Sequence, residues 1–258
     1  METTMRKSAD RDQIDILAIS GASVTVHVLG TSPLIFHRMS EKAKRELLLP
    51  RGRKTAADKA SQLKHDPVQE YRASVYRYAD DTHPTRLRFP AAAFKSAMAT
   101  AALDLPGAKR SEIGRLTWVD GADVAIYGVP QIVMSVVRSS DINRTPDVRT
   151  RAIVARWCCK VTVHFVAPKL TAQGVANLLS AAGVTVGIGD FRQEKGKGNY
   201  GQFVLVDDGD PQWREIAENG GREAQDEALA NPQPYDEETA EMLEWFSDRI
   251  VSLGRAVA

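Results

Sequence analysis

Cysteine is nearly absent: the 258-residue chain has two, Cys158 and Cys159, and they are adjacent. Neighbouring residues of a strand point to opposite faces, so the pair is poorly placed to bond to itself, and both read as free thiols in a reducing compartment. Long apolar runs are also missing. VTVHVLG and VANLLSAAGVTVGIG are short or interrupted by glycine and polar residues, and neither could cross a bilayer. METTMRKSADRDQ has no apolar h-region of a secretory leader, so residues 1–21 are expected to form a flexible N-terminal segment of a cytoplasmic protein. The five histidines (27, 37, 65, 83, 164) show neither H-E-x-x-H nor Cys/His zinc spacing. No nucleophile elbow G-x-S-x-G, paired-carboxylate signature or G-x-x-x-x-G-K-[ST] phosphate loop is present. The expectation is a protein without catalytic residues, metal or cofactor.

Net charge is close to balance at +1, but it is unevenly distributed. Residues 208–258 hold 13 Asp and Glu against four Arg, leaving 30 Lys and Arg against 20 acids in residues 1–207. A basic body with an acidic appendage suits a polyanionic partner, although basic surface on a globular protein is often just a solvated face.

Strand signals begin at VTVHVLG (24–30), where β-branched residues alternate with small or polar ones, and this reads as a central strand. Residues 40–80 read as an insertion, and within it residues 41–65 carry eight Lys and Arg against three acids, too basic for a buried layer. LRFPAAAFKSAMATAALDL gives a short strand, Pro90 in a first helical turn, and an alanine-rich helix ending near Leu105. DVAIYGV and QIVMSVVR read as strands broken at Gly128 and Pro130, and WCCKVTVHFV (157–166) as the strongest strand. Between them, residues 138–156 should project as a basic hairpin turning near Asn143, Thr145 and Pro146. Thr171 caps AQGVANLLSAAG, which Gly183 should stop, and GQFVLVD closes the sheet. The acidic C-terminal region, 208–258, reads as two helical stretches around NPQP (231–234), the second packing through Met242, Trp245, Phe246 and Ile250.

The order strand, helix, strand, strand, helix, strand predicts an α+β fold with a modified ferredoxin-like or RNA-recognition core over residues 22–207. Helices would cover one face of its antiparallel sheet and leave the other open.

The most informative stretch is VGIGDFRQEKGKGNYGQFVLV (186–206), where five glycines interleave with Arg192, Lys195, Lys197 and Tyr200. Glycines let main-chain amides form an anion-binding nest, and the cations add charge-assisted contacts. The bland alternative is a basic, flexible connection. GIGDFRQEKGKGNYGQFVL resembles the glycine-rich loop before the final strand in the CRISPR-associated RAMP superfamily. LRFPAAAFKSAMATAAL resembles that superfamily's opening of the first helix, VTVHVLGTSPLIFH its first strand, and the basic hairpin the thumb of its backbone subunit, the Cas-seven family.

That resemblance implies a protein that assembles as a homo-oligomeric helical filament on single-stranded RNA or DNA and grips its phosphate backbone. The chain could be a stand-alone, phage-encoded relative acting in the host cytoplasm. Carried onto matching positions, Lys95 is the helix-opening lysine, Arg192, Lys195, Lys197 and Tyr200 belong to the loop, and Arg144, Arg149, Arg151 and Arg156 to the thumb. His37 and Arg38 follow the first strand. Two alternatives stand beside this: a metal-dependent RNA endonuclease using Asp58 or Asp66, and a structural assembly protein, such as a phage component, that polymerises through protein contacts alone.

Overall fold

Alternating side chains along SGASVTVHVLG build β1 (Ser20–Gly30), with Val24, Val26 and Val28 turned toward the core and Ser23 and Thr25 exposed. The computed structural model describes residues 18–39, 44, 48, 65–138, 146–195 and 198–252. Arg144, Lys197, Asp58 and most of the expected N-terminal and insertion segments lie outside the described residues.

The structure mixes α and β. Strands β1, β3 (Tyr76–Arg77), β4 (Leu87–Pro90), β5 (Thr117–Val119), β6 (Asp123–Tyr127), β9 (Cys158–Ala167) and β10 (Phe203–Val206) form one antiparallel sheet in the order β10-β1-β9-β6-β4-β3, with β5 also on β9. A smaller sheet joins β2 (Leu34–Ile35), β8 (Pro146–Val154) and β7 (Pro130–Arg138). β7 and β8 pair in continuous register from Pro130↔Val154 to Arg138↔Pro146, a hairpin longer than the basic stretch read from the sequence.

Seven helices occur among the described residues: α1 (Pro67–Ser74), α2 (Ala91–Ala101), α3 (Arg110–Leu116), α4 (Ala172–Thr185), α5 (Pro211–Asn219), α6 (Arg222–Ala230) and α7 (Glu237–Ser252). α2 and α4 cover one face of the large sheet, burying Phe94, Met98, Val175 and Leu179 with Val28, Val161, Val163 and Phe203. Thr171 caps α4, its side chain accepting from the Gly174 amide at 3.0 Å.

Gly183, expected to stop α4, lies inside it. A Cβ there would overlap the Phe203 carbonyl, so this glycine serves close helix–strand packing. The terminating glycine is Gly187, at φ +72°, whose amide donates to the Ala182 carbonyl.

The C-terminal region differs most from the expectation. It forms three helices rather than two, because Asp210 and Pro211 start α5 and the Gly220–Gly221 pair divides α5 from α6. The second sheet face is also not open throughout. α5 lies across one end of it, packing Trp213 and Ile216 on Leu29, Cys158, Tyr127 and Val206, with the Trp213 ring edge-on to His27 at 4.7 Å. At the other end Thr25 and Thr162 share a hydrogen bond of 2.8 Å, and Trp118 stacks on His164 with centroids 5.5 Å apart. Cys158 and Cys159 are both buried and free, on opposite sides of β9.

α6 is fastened from within by Gln225, which is fully buried. Its Oε1 accepts from the Arg86 and Leu87 amides at 2.7 and 2.8 Å, and its Nε2 donates to the Ile126, Gly128 and Gly220 carbonyls at 2.8, 3.0 and 2.8 Å. One side chain thereby ties α6 to the β4 and β6 segments. In α7, Ile250 is buried but Trp245 is 68% exposed, so the expected packing through Trp245 does not occur.

Candidate nucleic-acid interface

The glycine-rich loop is pinned at its base. Ile188 donates to the Gly201 carbonyl at 2.9 Å, Asp190 to Ile35 at 3.0 Å, and Gly201 to Pro33 at 2.8 Å, which docks the loop on the β1–β2 connection. Gly201 has φ +72°, and a Cβ would overlap the Ile188 carbonyl. Gly201→Ala therefore combines left-handed backbone strain of about 1–3 kcal/mol with a steric clash. A fall in the urea midpoint is expected, and an unchanged midpoint would show that the loop base is pliable.

This pinning changes the expected role of the glycines. The amides of Gly187, Ile188, Asp190, Tyr200 and Gly201 are all bonded to protein carbonyls, so they are not arranged as a nest for an anion. What the loop presents instead is side chains.

The loop meets the β7–β8 hairpin at Arg151, which is 5% exposed. One guanidinium nitrogen lies 2.7 Å from Asp190 Oδ2, the group sits over the Phe191 ring at 5.0 Å, and its buried Nε has no hydrogen-bond partner among the described residues. Burial holds this guanidinium below its ordinary pKa, opposed by Asp190. Phe191 is left-handed at φ 51°, a conformation that places its backbone at the sharp turn between Asp190 and Arg192. Beside them, exposed His37 has Nδ1 3.9 Å from Asp190 Oδ2. Although the side chain is more than half open to solvent, partial desolvation by the surrounding protein is the first cause of its lowered pKa, while Asp190 opposes and Arg151 and Arg149 add to the lowering.

Arg149 is half exposed, 3.4 Å from Asp147 Oδ2. Asp147 also meets His65 Nε2 at 3.0 Å, while His65 Nδ1 meets Glu70 Oε1 at 2.8 Å, so His65 links the hairpin to α1. Arg192 bonds Glu194 Oε2 at 2.8 Å and the Gly189 carbonyl at 3.1 Å. It opens onto a groove of about 370 Å³ between α2 and the loop that follows α4, shared with Ala92, Ser96 and Arg110.

The structure thus brings His37, Arg149 and Arg151 together beside Asp190, while Arg192 lines the groove on α2, with half-buried Tyr200 bridged to it through the backbone. Lys195 ends the short 3-10 turn Gln193–Lys195 in the same loop. Three expected residues are placed otherwise. Lys95 is the fifth residue of α2, beyond its first turn, and does not line the groove between α2 and the loop. Arg156 makes a two-pronged bond to Glu215 of α5 at 2.9 and 2.7 Å, which holds the Glu215 carboxyl below its usual range. Arg38 faces a separate cleft with Arg72, Arg77, Arg86 and Arg88.

Those four arginines were missed. The alternation R-L-R at 86–88 and the arginines at 72 and 77 were the available signal, since period-two spacing on a strand puts side chains on one face. Asp66, a candidate nuclease residue, caps α1 by accepting from the Gln69 amide at 3.0 Å. No group of three or more His, Cys, Asp or Glu suited to a metal ion occurs among the described residues, and no helix among them is long and apolar enough to cross a membrane. No protein-family model matches the chain, and no curated protein matches it.

Proposed function

We propose that this protein binds single-stranded RNA or DNA through its phosphate backbone where the glycine-rich loop meets the β7–β8 hairpin, and that copies line up along the strand as a helical filament without catalysing a reaction. The observation that carries this reading is the Arg151–Asp190 contact, which clamps two cationic segments 39 residues apart into one surface with His37. The chain order β1, α2, β6, β9, α4, β10 and the sheet order β10-β1-β9-β6 support a split β-α-β core of the ferredoxin-like type. Exposed Val136 on the hairpin and Trp245 on α7 offer apolar surface that lateral contacts between copies would cover.

Most cations of this surface already hold a carboxylate, so a phosphate must compete with Asp147, Asp190 or Glu194. Binding by one copy is then modest and steeply salt-dependent, and assembly along a strand supplies the rest. Fluorescence anisotropy with labelled oligo(U) and oligo(dT) at low salt tests this directly; no binding to either oligonucleotide sinks the proposal.

His37 gives the reading a pH signature. Its lowered pKa leaves the imidazole neutral at pH 7, and a nearby phosphate favours the protonated form. The bound pKa therefore exceeds the free one, a proton is taken up on binding, and affinity rises as pH falls from neutral. Anisotropy titrations from pH 8 to 5.5 should show that rise in the wild type and a flatter profile in His37→Gln; equal profiles would remove His37 from the interface.

A further inference from the structure

Four separate chain segments contribute arginines to one cleft of about 580 Å³: Arg38 after β2, Arg72 on α1, Arg77 on β3, and Arg86 and Arg88 at β4. α6 closes it with Asp226, Leu229 and Ala230. Arg86 takes Asp226 in a fork, at 2.6 and 3.0 Å, and also reaches Asp81 at 3.2 Å. Arg88 pairs with Asp123. Arg72 and Arg77 are different. Arg72 donates to the Leu229 and Ala230 carbonyls, and Arg77 to the Arg72 carbonyl, all at 2.8 Å, and among the described residues neither makes an ion pair with a carboxylate.

Asp226, the carboxylate that the described residues bring to the cleft lining, is therefore already engaged by Arg86 while cationic charge accumulates around it. The Arg77 guanidinium is held below its ordinary pKa by burial and then by Arg38, Arg86 and Arg72, the mark of like charges crowded together. An anion entering the cleft would relieve that repulsion, and guanidinium forks match phosphate oxygens in planar geometry.

The position of the cleft indicates which phosphate. His37 and Arg38 are consecutive: His37 faces Asp190 and Arg151, whereas Arg38 lines the cleft. One short segment is thus the ridge between two basic surfaces, an arrangement suited to a polymer carrying regularly repeated phosphates. Tyr78 stacks on His83 at 3.6 Å and lies under Arg88 at 5.8 Å, so its ring serves to brace the cleft rather than to hold a base. Recognition here is of the backbone and independent of sequence.

We infer that this arginine cleft is a second phosphate-binding site, receiving backbone phosphates of the strand after it crosses the His37–Arg38 ridge; the inference rests on the nucleic-acid reading above. The test uses the full chain, labelled oligo(U) and oligo(dT), and anisotropy across a salt series. Arg77→Gln should weaken binding about tenfold at low salt and reduce the slope of log K against log salt by roughly 0.7 for each phosphate no longer neutralised. Asp226→Asn should tighten binding severalfold, a gain that misfolding cannot produce. If the wild type binds but both variants keep its affinity and slope, the cleft is not a phosphate site and the loop–hairpin reading stands. If the wild type binds neither oligonucleotide, both readings fall.

Discussion

Truncation after Asp207 is expected to abolish cooperative folding rather than release a basic surface for tighter binding. A charge of 13 acids against four Arg in the last 51 residues makes a detachable acidic cover plausible on sequence alone. The packing argues otherwise. Removing α5 exposes Leu29 and Cys158 and takes away the Trp213 indole that donates to the Cys159 carbonyl at 3.2 Å. Removing α6 withdraws Gln225 and leaves the Arg86 and Leu87 amides and the Ile126 and Gly128 carbonyls without it. The next segment also pairs with β7, since Ile132 donates to Gln233, Tyr235 donates to Ile132, and Thr239 Oγ1 accepts from the Met134 amide.

Each buried polar group left unpaired costs about 1–3 kcal/mol, so the four that Gln225 abandons already rival a typical stability of about 5–15 kcal/mol. Gln225→Leu isolates this effect, because it keeps the apolar volume and removes every bond; a loss of at least about 3 kcal/mol in urea unfolding is expected. A truncated chain that unfolds cooperatively at the full-length midpoint would show that the acidic helices are ancillary after all.

The second large effect is expected from Arg192→Glu combined with Lys195→Glu. Both residues lie in the pinned loop, and Arg192 already sits against Glu194, so the double change replaces two cations of the loop with two anions, one of them against an existing carboxylate. At low salt, where exposed charges are least screened, oligonucleotide affinity should fall by two orders of magnitude or more, about 3 kcal/mol. The loop base is held by backbone bonds from Ile188, Asp190 and Gly201, which neither substitution touches, so the thermal midpoint should stay near that of the wild type. Retained affinity with an intact fold would remove the loop from the proposed interface.

What the sequence disclosed follows the range of the forces involved. Alternation located β1 and β9, and the Thr171 cap located the start of α4, because these signals act over a few residues. Gly183 was misread because its purpose is set by Phe203, 20 residues away in the chain. The thumb arginines were legible as cations but not as buried or exposed. Arg151 turns inward because β8 also pairs with β2, so the lower half of the hairpin is sheet interior. The arginine cleft was invisible for the same reason: no segment supplies more than two of its members, and only folding assembles them. The open sheet face was expected because helices α2 and α4 were recognised, whereas the docking of α5 depends on Trp213 finding His27 and Leu29 across the sheet.

Burial of the paired cysteines gives the protein an internal clock for its own opening. Burial pushes the Cys158 thiol up to about 12 and Cys159 well above its ordinary range, so in the closed sheet neither supplies the thiolate that attacks a disulfide or maleimide reagent. Cys158 lies beneath α5, with its sulfur 3.5 Å from the Trp213 carbonyl, whereas Cys159 faces the core under α2 and α4. The two sulfurs therefore report on different events. Modification at position 158 times the lifting of one helix from the sheet, and modification at position 159 times the breathing of the interior itself.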